Sequence, residues 1–217
     1  GRLSSNNPNI MQGPKTRAVM SLFRARPGYS LVDLDFTSVE PVVAAEFSRD
    51  RNMRFLFSDP SRQNDVYLFL GSHVPGIIGE QIKATGYDPF FPTNTSIARA
   101  KKEVKRIRSI CKSISLACQY GAWPPKIQST LGQAGIYMPI EEVEVFHKTY
   151  WGIFSGLDDF QNKLKRERQS NGGYILNGLG RPLCIPGIFS KDTLNRFIQS
   201  TALDILLKYS RILTTEL

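Results

Sequence analysis

Arg108, Lys112, Leu116 and Tyr120 recur at four-residue intervals in an unbroken helical pattern, and their types and order suggest chemistry. On a helix they form one strip about 18 Å long, at about 1.5 Å per residue. Two cations can hold phosphates through charge-assisted hydrogen bonds. An apolar group and a phenol further along suit a sugar and a base, so the strip matches a nucleoside triphosphate laid lengthwise. About opposite lie Ile107, Ile110, Cys111, Ile114, Ala117 and Cys118, an arc that reads as a core face. The competing reading is an ordinary solvated basic face, continued by Lys101, Lys102, Lys105 and Arg106.

The second candidate is Asp35. Mg²⁺ takes carboxylate oxygens together with phosphate oxygens, so a single Asp beside a triphosphate is reasonable metal chemistry. Glu40 follows at the fourth position of Thr37-Ser-Val-Glu40, which has capping-box spacing. On local grounds it is as readily a cap acceptor as a functional acid.

The elements that must position these groups follow from periodicity. Tyr29 to Phe36 alternates, with Val32, Leu34 and Phe36 on one side and Leu31, Asp33 and Asp35 on the other, which predicts a buried strand ending at Asp35. A sharp turn into a helix follows, with Pro41 in its first turn and Val42, Val43, Ala45 and Phe47 continuing it. Residues 1 to 14 read as an extended loop, Gln63 to Leu70 as a short helix, and His73 to Thr95 as an irregular excursion. One long helix is expected from about Ile97 to Tyr120, then helices at Ile127 to Gly132, Ile140 to Tyr150 and Phe154 to Arg168. Tyr174 to Pro186, with Asn177-Gly178 and Leu179-Gly180-Arg181, reads as a β-hairpin. A final amphipathic helix spans Lys191 to Leu213.

Composition narrows the partners. Lys and Arg number 28 against 19 acidic residues, a net charge of +9, which favours a polyanion: nucleic acid, nucleotide or an anionic membrane surface. No apolar run reaches the roughly 20 residues of a membrane span, and no export signal opens the chain, so no membrane partner is expected. Cys111, Cys118 and Cys184 lack metal-ligand spacing and read as reduced, core-packed thiols of a cytoplasmic protein. The start at Gly1 and the stop at Leu217 directly after a helical pattern read as those of an excised piece.

Five stretches in order resemble family A DNA polymerases, the bacterial and phage DNA polymerase I family. Gly1-Arg-Leu-Ser-Ser5 with Pro8-Asn9 is similar to its GRLSSxxPN segment. Val32-Asp-Leu-Asp35-Phe-Thr-Ser-Val-Glu40 resembles motif A, and Arg108 to Gly121 resembles motif B, RxxxKxxxFxxxYG. Gly173-Tyr174 followed by Gly180-Arg181-Pro182 is similar to GYVxTxxGRRR, and Asn195 to Asp204 to NxPxQGTAAD.

The resemblance implies template-directed DNA synthesis by two-metal nucleotidyl transfer. Asp35 would be a catalytic Mg²⁺ ligand, helped by the Phe36 carbonyl. Glu40 would exclude a ribose 2′-OH and hydrogen-bond Tyr120. Arg108 and Lys112 would bind the triphosphate, Lys112 also acting on departing pyrophosphate, and Leu116 and Tyr120 would shape the nucleotide pocket. Arg2, Asn9, Lys191, Asn195 and Gln199 would contact primer-template DNA, and the other substrates would be deoxynucleoside triphosphates. The implied fold is mixed α and β, mostly helical: part of a right-hand palm in residues 1–60 with motif A, a helical fingers subdomain in 61–185, and a palm helix in 186–217.

Departures from the family pattern point to a divergent, phage-like lineage. Leu116 replaces an aromatic, which predicts weaker nucleotide holding. Tyr67 stands where the family often has His in its DxHxxxA segment, making Asp65 and Tyr67 weaker matches. Lys191 replaces an Arg and loses its bidentate fork, and Pro41 and Val42 replace Leu-Arg. Motif C, with the second metal-binding Asp, is expected about thirty residues beyond Gln199 and is absent from the sequence, so residues 1–217 alone are expected not to polymerise. The alternative function is a polymerase-derived module that binds nucleic acid without chemistry.

Overall fold

A computed structural model describes residues 16–33, 35–57, 64–187 and 192–216. The expected start of the chain, with Arg2 and Asn9, and the expected DNA contact Lys191 lie outside the described residues. In chain order the elements are α1 (Arg17–Met20), α2 (Val39–Ser48), α3 (Arg51–Phe57), α4 (Val66–His73), α5 (Ile77–Ala84), α6 (Asn94–Glu103) and α7 (Lys105–Gln119). Then follow α8 (Pro124–Gln133), α9 (Ile140–Ile153), α10 (Ser155–Ser170), the strands β1 (Tyr174–Leu176) and β2 (Pro182–Cys184), and α11 (Thr193–Glu216). The chain is mostly helical, as the sequence predicts.

One apolar cluster holds these elements together. α4 sits at its centre: Leu68, Phe69, Leu70, Gly71 and Ser72 are all buried, and the helix packs on α5, α7 and α9. The aromatic rings of Phe69, Phe146, Tyr150 and Phe154 are essentially inaccessible. Each such buried side chain contributes about 1.5–3 kcal/mol relative to exposure. α7 turns Cys111, Ile114 and Cys118 into this cluster, while Ile107, Ile110 and Ala117 pack at its margin. Cys184, by contrast, is exposed on β2, so core packing holds for two of the three cysteines.

Several expectations are corrected. Tyr29 to Phe36 forms no strand among the described residues: Leu31 is 65% exposed and Val32 76%. A strand exists only through its hydrogen-bonded neighbour, and the two strands described here pair with each other. The capping box at Thr37 to Glu40 is not formed either. Ser38 takes the N-cap position in a left-handed conformation, φ 57°, with no side-chain cap bond. The long helix is interrupted at Val104 (φ −110°, ψ 36°) into α6 and α7; neither Pro nor Gly stands at the break, so periodicity runs through it unmarked. The supposedly irregular stretch after His73 contains α5, and α3 is an additional helix.

The expected hairpin does form, with Tyr174 opposite Cys184 and Leu176 opposite Pro182. Its turn is fastened to α11. Asn177 Oδ1 accepts from the Leu179 and Arg181 N–H groups, while its amide donates to Ser200 Oγ and Asp204 Oδ2. Arg181 reaches the same two residues, 2.9 Å to each. The Gly178 N–H donates to Thr201 Oγ1 at 2.9 Å.

A second junction ties α2–α3 to α9–α10. Buried Asp50 caps α3 by accepting from the Met53 N–H at 2.8 Å, and its other oxygen accepts from the Gly156 N–H at 2.8 Å. A Cβ on Gly156 would lie 2.8 Å from the Asp50 Cα, closer than packed carbons approach. Replacing Gly by Ala within a helix ordinarily favours it by about 1 kcal/mol. Here overpacking, which costs about 1–3 kcal/mol, should prevail. Gly156→Ala is expected to lower the urea midpoint, and a midpoint unchanged or raised would contradict this close contact.

Candidate functional site

The strip predicted from sequence lies on the side of α7 away from the core. Arg108 and Leu116 are half-buried, and Lys112 and Tyr120 are exposed. α4 and α11 supply the residues that meet it.

Asp65 organises the upstream end. Its side chain is 3% exposed, and its Oδ1 caps α4 by accepting from the Tyr67 and Leu68 N–H groups, each at 3.1 Å. Its Oδ2 accepts from Arg108 Nε at 2.8 Å and Nη2 at 2.7 Å, with Lys101 Nζ at 3.5 Å. Arg108 therefore does not wave in solvent. Two donors on one edge of its guanidinium are fixed against a buried anion, which sets the direction of the rest. The Tyr67 ring lies beneath, 5.3 Å from the Arg108 guanidinium carbon and 5.9 Å from Lys112 Nζ, within reach of a cation–π attraction. Burial, reinforced by the Asp65 and Glu40 charges, raises the Tyr67 phenol above its ordinary value, against the opposing pull of Arg108. Glu40, half-buried in the first turn of α2, is thus electrostatically part of the same cluster.

The downstream end is built differently. Tyr120 closes α7, and Gly121, at φ 71°, reverses the chain. The Gly121 N–H donates to the Cys118 carbonyl at 2.8 Å and the Ala122 N–H to the Ala117 carbonyl at 2.9 Å, the paired bonds of a Schellman motif that favours Gly at the left-handed position. The Tyr120 hydroxyl accepts from Gln199 Nε2 at 2.7 Å, and Gln199 also donates to Asn195 Oδ1 at 2.9 Å. Tyr120, Gln199 and Asn195 are therefore one chain of hydrogen bonds from α7 to α11. Asp35 is exposed rather than at the end of a buried strand. It is held near α11 by its neighbour Phe36, whose ring meets Tyr209 edge-on at 5.7 Å.

The structure thus joins Arg108 and Lys112 through Tyr67, whose phenol also feels the charge of Glu40, and Tyr120 to Gln199 and Asn195. Asp65 is the organiser that sequence reading ranked too low; its signal was an Asp directly before an apolar helix. The described residues contain no group of three His, Cys, Asp or Glu side chains arranged for a metal ion. A single exposed carboxylate at Asp35 still fits Mg²⁺ when phosphates supply the remaining oxygens.

Two outcomes follow. Asp65→Ala removes a helix cap, about 1 kcal/mol, and charged hydrogen bonds worth about 1.5–3 kcal/mol, and should lower unfolding stability by about 2–4 kcal/mol. Asp65→Asn keeps the cap and should recover about 1 kcal/mol of this by urea titration; equal losses in both variants would show that the cap contributes nothing. Asp204, hydrogen-bonded by Arg181 and Asn177, has its carboxyl held below the ordinary 3.8. Its contribution is complete above that value and is lost as pH falls through the lower folded value. The stability difference between wild type and Asp204→Asn should therefore shrink in urea titrations run progressively below pH 3.8; a difference constant with pH would refute the pairing.

Residues 1–211 match the family model for DNA polymerase family A. The chain is 25% identical to the DNA polymerase of Escherichia phage T5, 27% to DNA polymerase I of Treponema pallidum and 26% to DNA polymerase I of Aquifex aeolicus, in each case over 95% of its length. It covers 25%, 19% and 31% of those proteins, so it spans between a fifth and a third of the relatives it matches. The structure resembles the POL domain of Pol1 from M. smegmatis, solved in complex with DNA primer-template and dNTP, with a TM-score of 0.64 at 23% identity, covering 95% of this chain and 34% of that one. With the family model covering nearly the whole sequence, the chain belongs to DNA polymerase family A.

Proposed function

We propose that this chain is the nucleotide-binding part of an enzyme that extends a DNA primer along a template from deoxynucleoside triphosphates. The observation that carries the reading is the pair of cations, Arg108 and Lys112, flanking Tyr67 on the solvent side of α7, with Arg108 aimed by buried Asp65. The M. smegmatis structure, which contains primer-template and dNTP, supports the assignment of partners.

In this reading residues 1–60 and 186–217 belong to a palm and 61–185 to helical fingers. The reaction is in-line attack of a primer 3′-OH on the α-phosphorus, forming one P–O bond and breaking the bond to pyrophosphate. Arg108 and Lys112 orient the phosphates, and Lys112 holds a proton beside the departing pyrophosphate. Leu116 and Tyr120 face the sugar and base, and Glu40 excludes a 2′-OH while hydrogen-bonding Tyr120. Arg2, Asn9, Lys191, Asn195 and Gln199 would contact the primer-template duplex. Asp35 and the Phe36 carbonyl would hold Mg²⁺, which supplies charge neutralisation at the phosphates.

The test is equilibrium binding of a deoxynucleoside triphosphate with Mg²⁺. Arg108→Ala should weaken binding by about tenfold or more, since a charge-assisted phosphate contact is worth at least about 1.4 kcal/mol. Asp35→Ala should abolish the Mg²⁺ dependence, and a ribonucleoside triphosphate should bind more weakly. Binding indifferent to Arg108 and Asp35, with nucleic-acid binding retained, would replace this reading by that of a non-catalytic DNA-binding module.

A further inference from the structure

Asp65 draws in a further cation that the strip on α7 does not contain. Lys101, on α6, has its Nζ 3.5 Å from the same Oδ2 that Arg108 Nη2 meets at 2.7 Å. The two residues are seven positions apart, about 10.5 Å along a straight helix at about 1.5 Å per residue. Their charged ends nevertheless meet on one oxygen. The break at Val104 falls between them, where α6 ends and α7 begins.

Lys101 is not fixed as Arg108 is. Arg108 makes two short bonds to a carboxylate whose side chain is 3% exposed, whereas Lys101 pairs with it at longer range and keeps 43% of its own side chain exposed. An ammonium has three N–H donors, and one carboxylate oxygen shared with a guanidinium cannot engage them all. The charges of the cluster also do not balance. Asp65 and Glu40 supply two carboxylates, while Arg108, Lys101 and Lys112 supply three cations. Tyr67 adds no anion, because burial and then the Asp65 charge raise its phenol. Cations gathered in this way repel one another until an anion joins them. Lys101 differs from its exposed neighbours Lys102, Lys105 and Arg106 in reaching the carboxylate that aims Arg108.

The direction of the strip decides what Lys101 meets. In the arrangement proposed above the base lies toward Tyr120 and the phosphates toward Arg108, so a cation upstream of Arg108 meets the phosphate furthest from the sugar. We propose that Lys101 is a further phosphate-binding residue of this site, holding the terminal phosphate of a polyphosphate chain and so selecting triphosphates over diphosphates. Its assignment to a nucleotide rests on the polymerase reading, whereas the polyphosphate contact does not.

The test compares a deoxynucleoside triphosphate, the corresponding diphosphate and inorganic tripolyphosphate, each bound to the chain with Mg²⁺ and followed by equilibrium dialysis. Low ionic strength is used because an exposed charge is then least screened. Lys101→Gln should weaken triphosphate and tripolyphosphate binding about fivefold and diphosphate binding less than about twofold, so the preference for the third phosphate falls. Lys101→Arg should keep that preference, and so should Lys102→Gln, which removes a neighbouring exposed charge. Arg108→Ala should weaken triphosphate and diphosphate alike. If Lys101→Gln weakens them alike too, Lys101 acts only by aiming Arg108 and the proposal is overturned. It is equally overturned if Lys101→Gln changes nothing, or if Lys102→Gln lowers the preference as much. If Lys101→Gln weakens tripolyphosphate binding while the nucleotide binds no more tightly than tripolyphosphate, the polymerase reading falls and the phosphate contact stands. If the preference ignores Lys101 while Arg108→Ala still weakens triphosphate binding, the polymerase reading stands and this contact falls.

Discussion

The Asp65 carboxylate, with its side chain 3% exposed, must be fully satisfied by the protein around it. It accepts two backbone N–H groups at the start of α4 and the guanidinium of Arg108 from α7, with Lys101 close by. The register of α4 against α7 follows from that arrangement, because the helix that carries most of the central core also carries the cap. The position of Tyr67 under the two cations follows as well, since it lies two residues into the same helix turn. An acid serving the fold thereby fixes the direction of the cations proposed to hold phosphate.

α7 carries two duties on two faces. Its inward face is apolar, and its outward face is a row of cation, cation, aliphatic and phenol. The Schellman turn at Gly121 ends the row at a defined point. Beyond it the hydrogen bonds from Tyr120 through Gln199 to Asn195 bring in α11, which is itself fastened to the hairpin by Asn177, Arg181, Ser200 and Asp204. Local capping, core burial and long-range polar contacts all favour the same placement of the strip, the mutual consistency expected of a sequence with one dominant fold.

Much of this was legible in the residues. The faces of α7, the hairpin and the later helices follow from periods of 3.6 and 2 and from Gly and Asn at turns. What was not legible depended on partners distant in sequence. Leu31 and Val32 alternate like strand residues, yet alternation describes a preference while pairing requires a neighbour. Thr37 to Glu40 has the spacing of a cap, but the backbone at Ser38 takes a left-handed course that spacing does not reveal. The break at Val104 carries no Pro or Gly. Asp65 looked like a minor match because its burial and its pairing with Arg108, 43 positions away, exist only in the fold.

The bond between Asp65 and Arg108 also makes two equilibria inseparable. An anion that draws the guanidinium outward competes with the cap-bearing carboxylate, and one that is met by the inward-fixed guanidinium reinforces it. Occupancy of the strip must therefore change how readily the first turn of α4 frays, and the fraying of that turn must change occupancy by the same factor. Amide exchange at Tyr67 and Leu68, faster in the first case and slower in the second, would then report on a ligand that touches neither backbone group.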